Sequence, residues 1–259
     1  MLLNYQTFST FVFNLDSAVW RLSELRTNVK NVIDKLLSKH KKIYFISNNA
    51  LLSRNELRDK LAEFGIKVSK EQIISAGYSA ARFLEEAEAK EVYVIGEHGL
   101  IKELEERKIG ISDKANHVII SVDRNFTYGK LKVAADLINH GATFYCTGIS
   151  RYFEAGNEKF PAEAPIIKSV EILTGKIPKL LGMPGDVIKQ RFFEDVFMFP
   201  EDVIFIGGDY EIDVAFSRRC GFKCAVLPEN GEVLAEIKAL PAEKKPDVVL
   251  STLLELIRE

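Results

Sequence analysis

Much is scarce in this chain of 259 residues. Its three cysteines are too few and odd in number for a disulfide framework, which points to a reducing compartment, the cytoplasm. No apolar run approaches the roughly 18 residues that a membrane helix needs, so no membrane partner is expected. Met1–Phe13 has no basic region ahead of its apolar stretch and does not read as a secretory signal. Charge of one sign is missing as well. Lys and Arg total 35 against 37 Asp and Glu, a net −2, without the basic footprint of a nucleic-acid binder. There is no low-complexity tract and no short fixed-period repeat. With 47% hydrophobic and 28% charged residues, the composition excludes a disordered chain. Gly207-Gly208 is no dinucleotide fingerprint, because no Gly-x-Gly-x-x-Gly follows the first strand. Cys220 and Cys224 lack a second ligand pair and read as buried small hydrophobes. His98, His117 and His140 lie far from any polar cluster and read as surface or satisfied side chains.

What is present is alternation. Short apolar runs at Phe8–Phe13, Ile43–Ile46, Val92–Ile95, Val118–Val122, Thr143–Cys146, Val203–Ile206 and Cys224–Leu227 are separated by segments of helical period. This is the pattern of a parallel sheet covered by helices. Val29, Val32, Ile33, Leu36 and Leu37 mark one apolar helix face, and Gly65 reads as a helix C-cap. The charged stretch Lys102–Lys108 reads as an exposed helix face. The strand count of the middle third suggests an α/β unit inserted into another.

Ligands of open α/β sheets bind outside the carboxyl ends of the strands. Three strands here end in polar clusters: Asn14/Asp16, Ser47/Asn48 and Asp209/Asp213. Carboxylates beside the amides of following turns suit Mg²⁺ and phosphate, since Mg²⁺ takes oxygen ligands and often only one or two carboxylates. The same residue types also serve as turn and N-cap residues.

The order and spacing of these clusters resemble the haloacid dehalogenase superfamily, in its NagD-like, para-nitrophenyl phosphatase branch. The first family motif, Asp-x-Asp-Gly after a strand, is similar to Asn14-Leu15-Asp16-Ser17. The second, Thr-Asn-Asn-Ser, is similar to Ser47-Asn48-Asn49-Ala50. The fourth, Gly-Asp-x-x-x-Thr-Asp, is similar to Gly208-Asp209-Tyr210-Glu211-Ile212-Asp213, with Ile212 for Thr. Phrases such as Val92-Tyr93-Val94-Ile95-Gly96-Glu97 and Glu171-x-x-Thr174-Gly175 extend the resemblance over the whole chain. It implies an α/β fold with a Rossmann-like core, expected over residues 1–77 and 180–259, and an inserted α/β cap over 78–179. It also implies a Mg²⁺-dependent phosphohydrolase. The first Asp would attack phosphorus, and the second, Asp16, would act as general acid and base. Ser47 and Asn48 would hold phosphate, and Asp16, Asp209 and Asp213 the metal.

The pattern breaks where the chemistry is concentrated. The nucleophile position is Asn14, a neutral amide. The lysine of the third motif, Gly-Lys-Pro, is replaced in Gly182-Met183-Pro184, and Ser17 stands for Gly. The cap phrase Thr-Asn-x-Asp reads Thr147-Gly148-Ile149-Ser150. Asn14 and Met183 are a coherent pair, because loss of the carboxylate strands a lysine that an unbranched apolar side chain replaces. The expectation is a pseudophosphatase with a binding or assembly role, for a small phosphorylated ligand, a protein partner or a second copy of the chain, with Mg²⁺ binding weakened or lost. The alternative is an active Mg²⁺-dependent hydrolase of a small phosphorylated metabolite.

Overall fold

The computed structural model describes residues 4–21, 24–155 and 158–258. Met1–Leu3, part of the segment read above for a signal, lie outside them. Two compact units result: Met1–Ser47, Arg58–Ile74 and Lys189–Glu259 in one, Asn48–Leu57 and Ser75–Ile188 in the other.

The first unit is built on a six-stranded sheet. Its strands lie in the order Val248–Val249, Lys223–Val226, Val203–Gly207, Thr10–Asn14, Lys42–Ser47 and Ile73–Ser75. Thr10–Asn14 is the central strand and pairs in parallel with both neighbours. Phe11, Val12 and Phe13 are fully buried, as are Val203 through Ile206. A strand covered on both faces has no polar side to alternate with, hence the continuous apolar runs. The helix Val29–Ser38 buries Val29, Val32, Ile33 and Leu36. Leu37, expected on the same face, is 42% exposed. It lies beyond the edge of a stripe that four residues already fill. The helix Arg54–Glu63 ends before Gly65, whose φ of +74° is the left-handed conformation that glycine adopts without steric cost.

The second unit carries a five-stranded sheet in the order Lys179–Leu180, Thr143–Cys146, His117–Ile120, Glu91–Ile95 and Gly110–Ile111. The pairings among these strands are parallel. Helices Ala76–Glu86, His98–Glu105, Tyr128–Asn139 and Glu163–Thr174 accompany the sheet. The charged stretch from Lys102 is only partly an exposed face. Glu103 is buried at 1% exposure, accepting a 2.6 Å bond from the Arg54 backbone N–H and pairing with Arg107. One guanidinium and a backbone amide replace the solvent that a glutamate normally keeps.

Candidate functional site

In the first unit the chain lays its strands to one side of Thr10–Asn14 and later returns to lay the rest on the other. The order therefore reverses between Thr10–Asn14 and Val203–Gly207. The crevice beyond the carboxyl ends of such a pair is where open α/β sheets take ligands. Residues 14, 16, 17, 47, 208, 209 and 213 converge there.

Asn14 is the last residue of its strand, 4% exposed. Its Oδ1 accepts a 3.0 Å bond from the Asp16 backbone N–H, capping the wide one-turn helix Leu15–Val19. Its Nδ2 donates to Asp213 Oδ1 at 2.6 Å. That turn brings Asp16 toward the neighbouring strand, where the Ser47 hydroxyl donates to Asp16 Oδ2 at 2.7 Å. The Ser17 hydroxyl donates to Asp213 Oδ2 at 3.1 Å and accepts from the Gly208 N–H at 2.9 Å.

Asp213 is fully buried on the helix Tyr210–Cys220. Its Oδ2 also accepts the backbone N–H groups of Gly208 and Asp209, each at 2.9 Å. Burial, with the charge of Asp209 adding to it, pushes the Asp213 carboxyl up to about 7, while the bond from Asn14 and the two backbone amides pull downward. Four donors on its two oxygens suit the ionised form. Asp209 is the N-cap of the same helix: its Oδ1 accepts from the N–H groups of Glu211 and Ile212, both at 3.1 Å. Burial raises its carboxyl, and those amides oppose the shift.

One residue of this cluster escaped the sequence reading. With Asp213 on the final Asp and Ile212 on the Thr of Gly-Asp-x-x-x-Thr-Asp, the seven-residue phrase starts at Gly207. Gly208, not Asp209, then takes the position of the first acid. Counting the phrase to its full length would have found it. Lys60 was also missed: half-buried, it places its ammonium 4.6 Å from the centroid of Trp20. Burial lowers the Lys60 ammonium, and the charge of Asp16 works against that.

Asn48 and Met183 belong to the second unit. Asn48 Oδ1 accepts the Met183 N–H at 2.7 Å, and its Nδ2 donates to the Met183 carbonyl at 3.1 Å. Both polar atoms of the amide expected at phosphate thus hold a backbone segment. Met183 is itself fully buried.

A Mg²⁺ ion needs open carboxylate oxygens, and three positions of the first unit's cluster offer none. Asn14 turns its NH₂ toward Asp213, position 208 has no side chain, and Asp213 is surrounded by donors. Among the described residues no group of three or more His, Cys, Asp or Glu could hold a metal, and Cys146, Cys220 and Cys224 are buried free thiols.

A parallel sheet with its polar cluster at the strand-order reversal defines a Rossmann-like α/β protein. Comparison with known proteins shows what the chain is similar to. Residues 11–122 match the haloacid dehalogenase-like hydrolase model. The 4-nitrophenylphosphatase of Schizosaccharomyces pombe is 25% identical, over 96% of this chain and 93% of its own length. The p-nitrophenyl phosphatase of Archaeoglobus fulgidus superposes with a TM-score of 0.88 at 26% identity, covering 96% of this chain and 98% of that one. NagD from E. coli K-12 has the same fold, with a TM-score of 0.85 at 20% identity over 96% of this chain and 98% of its own. The chain is thus similar to haloacid dehalogenase-like hydrolases over residues 11–122, and it shares the α/β fold of the p-nitrophenyl phosphatases with their cap domain.

Proposed function

We propose that this chain is a NagD-like phosphatase homologue that has lost aspartyl-phosphate chemistry and serves as a binding or assembly protein. The observation that carries the reading is the amide at position 14. It stands where the family's first motif places the attacking carboxylate, and both its polar atoms are engaged, on Asp16 and on Asp213. An amide with its NH₂ bonded to a buried carboxylate is no nucleophile at phosphorus. Gly208 at the first acid of the fourth motif, Ser17 for Gly and buried Met183 for Lys support the same reading from separate segments. What persists, Asp16 with Ser47 bonded to it, would suit a phosphoryl group or another small anion. The three buried thiols fit a reducing, cytoplasmic setting.

That Asp16–Ser47 pair also favours the second reading, a slow phosphomonoester hydrolase in which Asp16 activates water. The assay is p-nitrophenyl phosphate hydrolysis by the native chain and by Asp16→Ala. Loss of a nucleophile removes on the order of 10⁴-fold or more in rate, so no turnover above background is expected. Turnover that Asp16→Ala abolishes would decide for the second reading. Restoring Asn14→Asp with Met183→Lys is expected to stay inactive until Ser17→Gly and Gly208→Asp are added.

A further inference from the structure

We propose that the Asn14 amide takes the place of a divalent cation in the strand-end cluster, which closes on hydrogen bonds and does not bind Mg²⁺. The inference rests on reading position 14 as the nucleophile position of the first motif.

Asp213 is the problem any such cluster must solve, an anion with no exposed surface. A buried carboxylate persists only where it is paired or hydrogen-bonded. Here the Asn14 NH₂ meets one oxygen, and the Ser17 hydroxyl with two backbone N–H groups meets the other. The amide has one usable orientation. Turned over, it would set its oxygen against the carboxylate and its NH₂ against the Asp16 N–H, two repulsive contacts in place of two bonds. The remaining flank of the carboxylate is closed by backbone. A Cβ on Gly207 would lie 2.0 Å from Asp213 Oδ2, so the carboxylate packs directly on the strand. A Cβ on Gly208 would lie 2.6 Å from the Ser17 carbonyl oxygen, which closes the site of the missing acid. Asn14, Ser17 and Gly208 thus form one substitution set: an N–H donor for the cation, a hydroxyl that bridges Asp213 and Gly208, and a glycine that admits it.

The test uses Mg²⁺ alone on the intact chain. Titration calorimetry of the native protein should show no saturable heat up to about 10 mM, and thermal unfolding should be the same in Mg²⁺ and in EDTA, because a ligand that binds the folded state raises its midpoint. Asn14→Asp places a second carboxylate against Asp213. Its midpoint in EDTA should fall by about 5 °C and recover in Mg²⁺. A saturable Mg²⁺ heat in the native chain, a native midpoint that rises with Mg²⁺, or an Asn14→Asp protein as stable in EDTA as the native one would each overturn the proposal. The two readings fail separately. Turnover without Mg²⁺ binding sinks the inactive-homologue reading alone, and Mg²⁺ binding without turnover sinks this one alone.

Discussion

Gly208→Ala is the smallest perturbation that probes the closed cluster. Position 208 has no positive φ, so alanine suits the backbone, and its lower unfolded-state entropy alone would stabilise the protein by about 0.4–1 kcal/mol. The surroundings oppose this. The new Cβ would stand 2.6 Å from the Ser17 carbonyl oxygen and 3.2 Å from the Ser17 Cβ. The first contact is with backbone, which cannot swing away as a flexible side-chain end can. Overpacking of this kind costs about 1–3 kcal/mol. The shift that relieves it must move either Ser17 or Gly208, and the Gly208 N–H is bonded to both Ser17 Oγ and Asp213 Oδ2. Weakening one bond to a buried carboxylate adds about 1–2 kcal/mol. The net expectation is a loss of about 2–3 kcal/mol, read as a lower urea midpoint at unchanged slope. Ser17→Gly in the same chain frees the backbone at 17 and should return part of the loss, a coupling that separate effects would not show. A Gly208→Ala protein as stable as the native one, with or without Ser17→Gly, would refute the tight approach of the two segments.

Glu103→Leu should destabilise by about 3–5 kcal/mol, since it strands the Arg107 guanidinium and the Arg54 N–H around a buried site. Denaturant unfolding measures it, and a loss under about 1 kcal/mol contradicts the paired network. Burial pushes the Glu56 carboxyl up, but the bonds from Lys102 and from the Ser53 N–H and hydroxyl prevail and hold it at about 2 against an ordinary 4.5. Its contribution is therefore complete above pH 4.5 and lost as pH falls toward 2. Glu56→Gln should flatten the acid limb of the stability curve by no more than about 1 kcal/mol, because its cationic partner is exposed. An unchanged acid limb would contradict the assignment. Burial pushes the Cys146 and Cys224 thiols up to about 12. Both should resist iodoacetamide at pH near 8 in the folded protein and react on unfolding, as mass spectrometry of the alkylated chain would show. Rapid labelling of the folded chain at either residue would contradict their burial.

The strands were the most legible part of the chain, and the reason is burial on both faces. Thr143–Cys146 coincides with the sequence expectation, and Val203–Gly207 extends it by one residue. Helices with a broad apolar stripe, such as Val29–Ser38, were legible too. Ala76–Glu86 was not. It buries Tyr78 and Leu84 together with Ala76, Gly77, Ser79, Ala80 and Ala81, and the small residues among them blur the apolar period that marks a helix. Of His98–Glu105 only the charged end from Lys102 was legible, as a helix face. Gly99 runs against the Leu51–Leu52 backbone, where a Cβ would meet atoms 2.4 Å away, and shares the buried face with Leu100 and Leu104. Polar strand ends could be read because α/β sheets place ligands there. Their partners could not, since Asn14 and Asp213 stand 199 residues apart and nothing local links them.

The same distance explains why the substitutions at the strand ends are better understood together. Taken singly, Asn14 differs from the first acid of one motif, Ser17 from its glycine and Gly208 from the first acid of another, three departures from one family pattern. In the folded chain they meet at one buried carboxylate, and each answers a demand set by the others. Without a cation, Asp213 needs donors, and Asn14 and Ser17 supply two of them beside the backbone amides. With Ser17 in place, its backbone carbonyl and Cβ lie where a side chain at 208 would begin, so glycine is the residue that fits. Neutral drift at an unused site has no reason to leave a fully buried acid with both its oxygens hydrogen-bonded. On the proposal made above, the set keeps the folded core stable without metal, as a chain kept for its surface or its ligand would require.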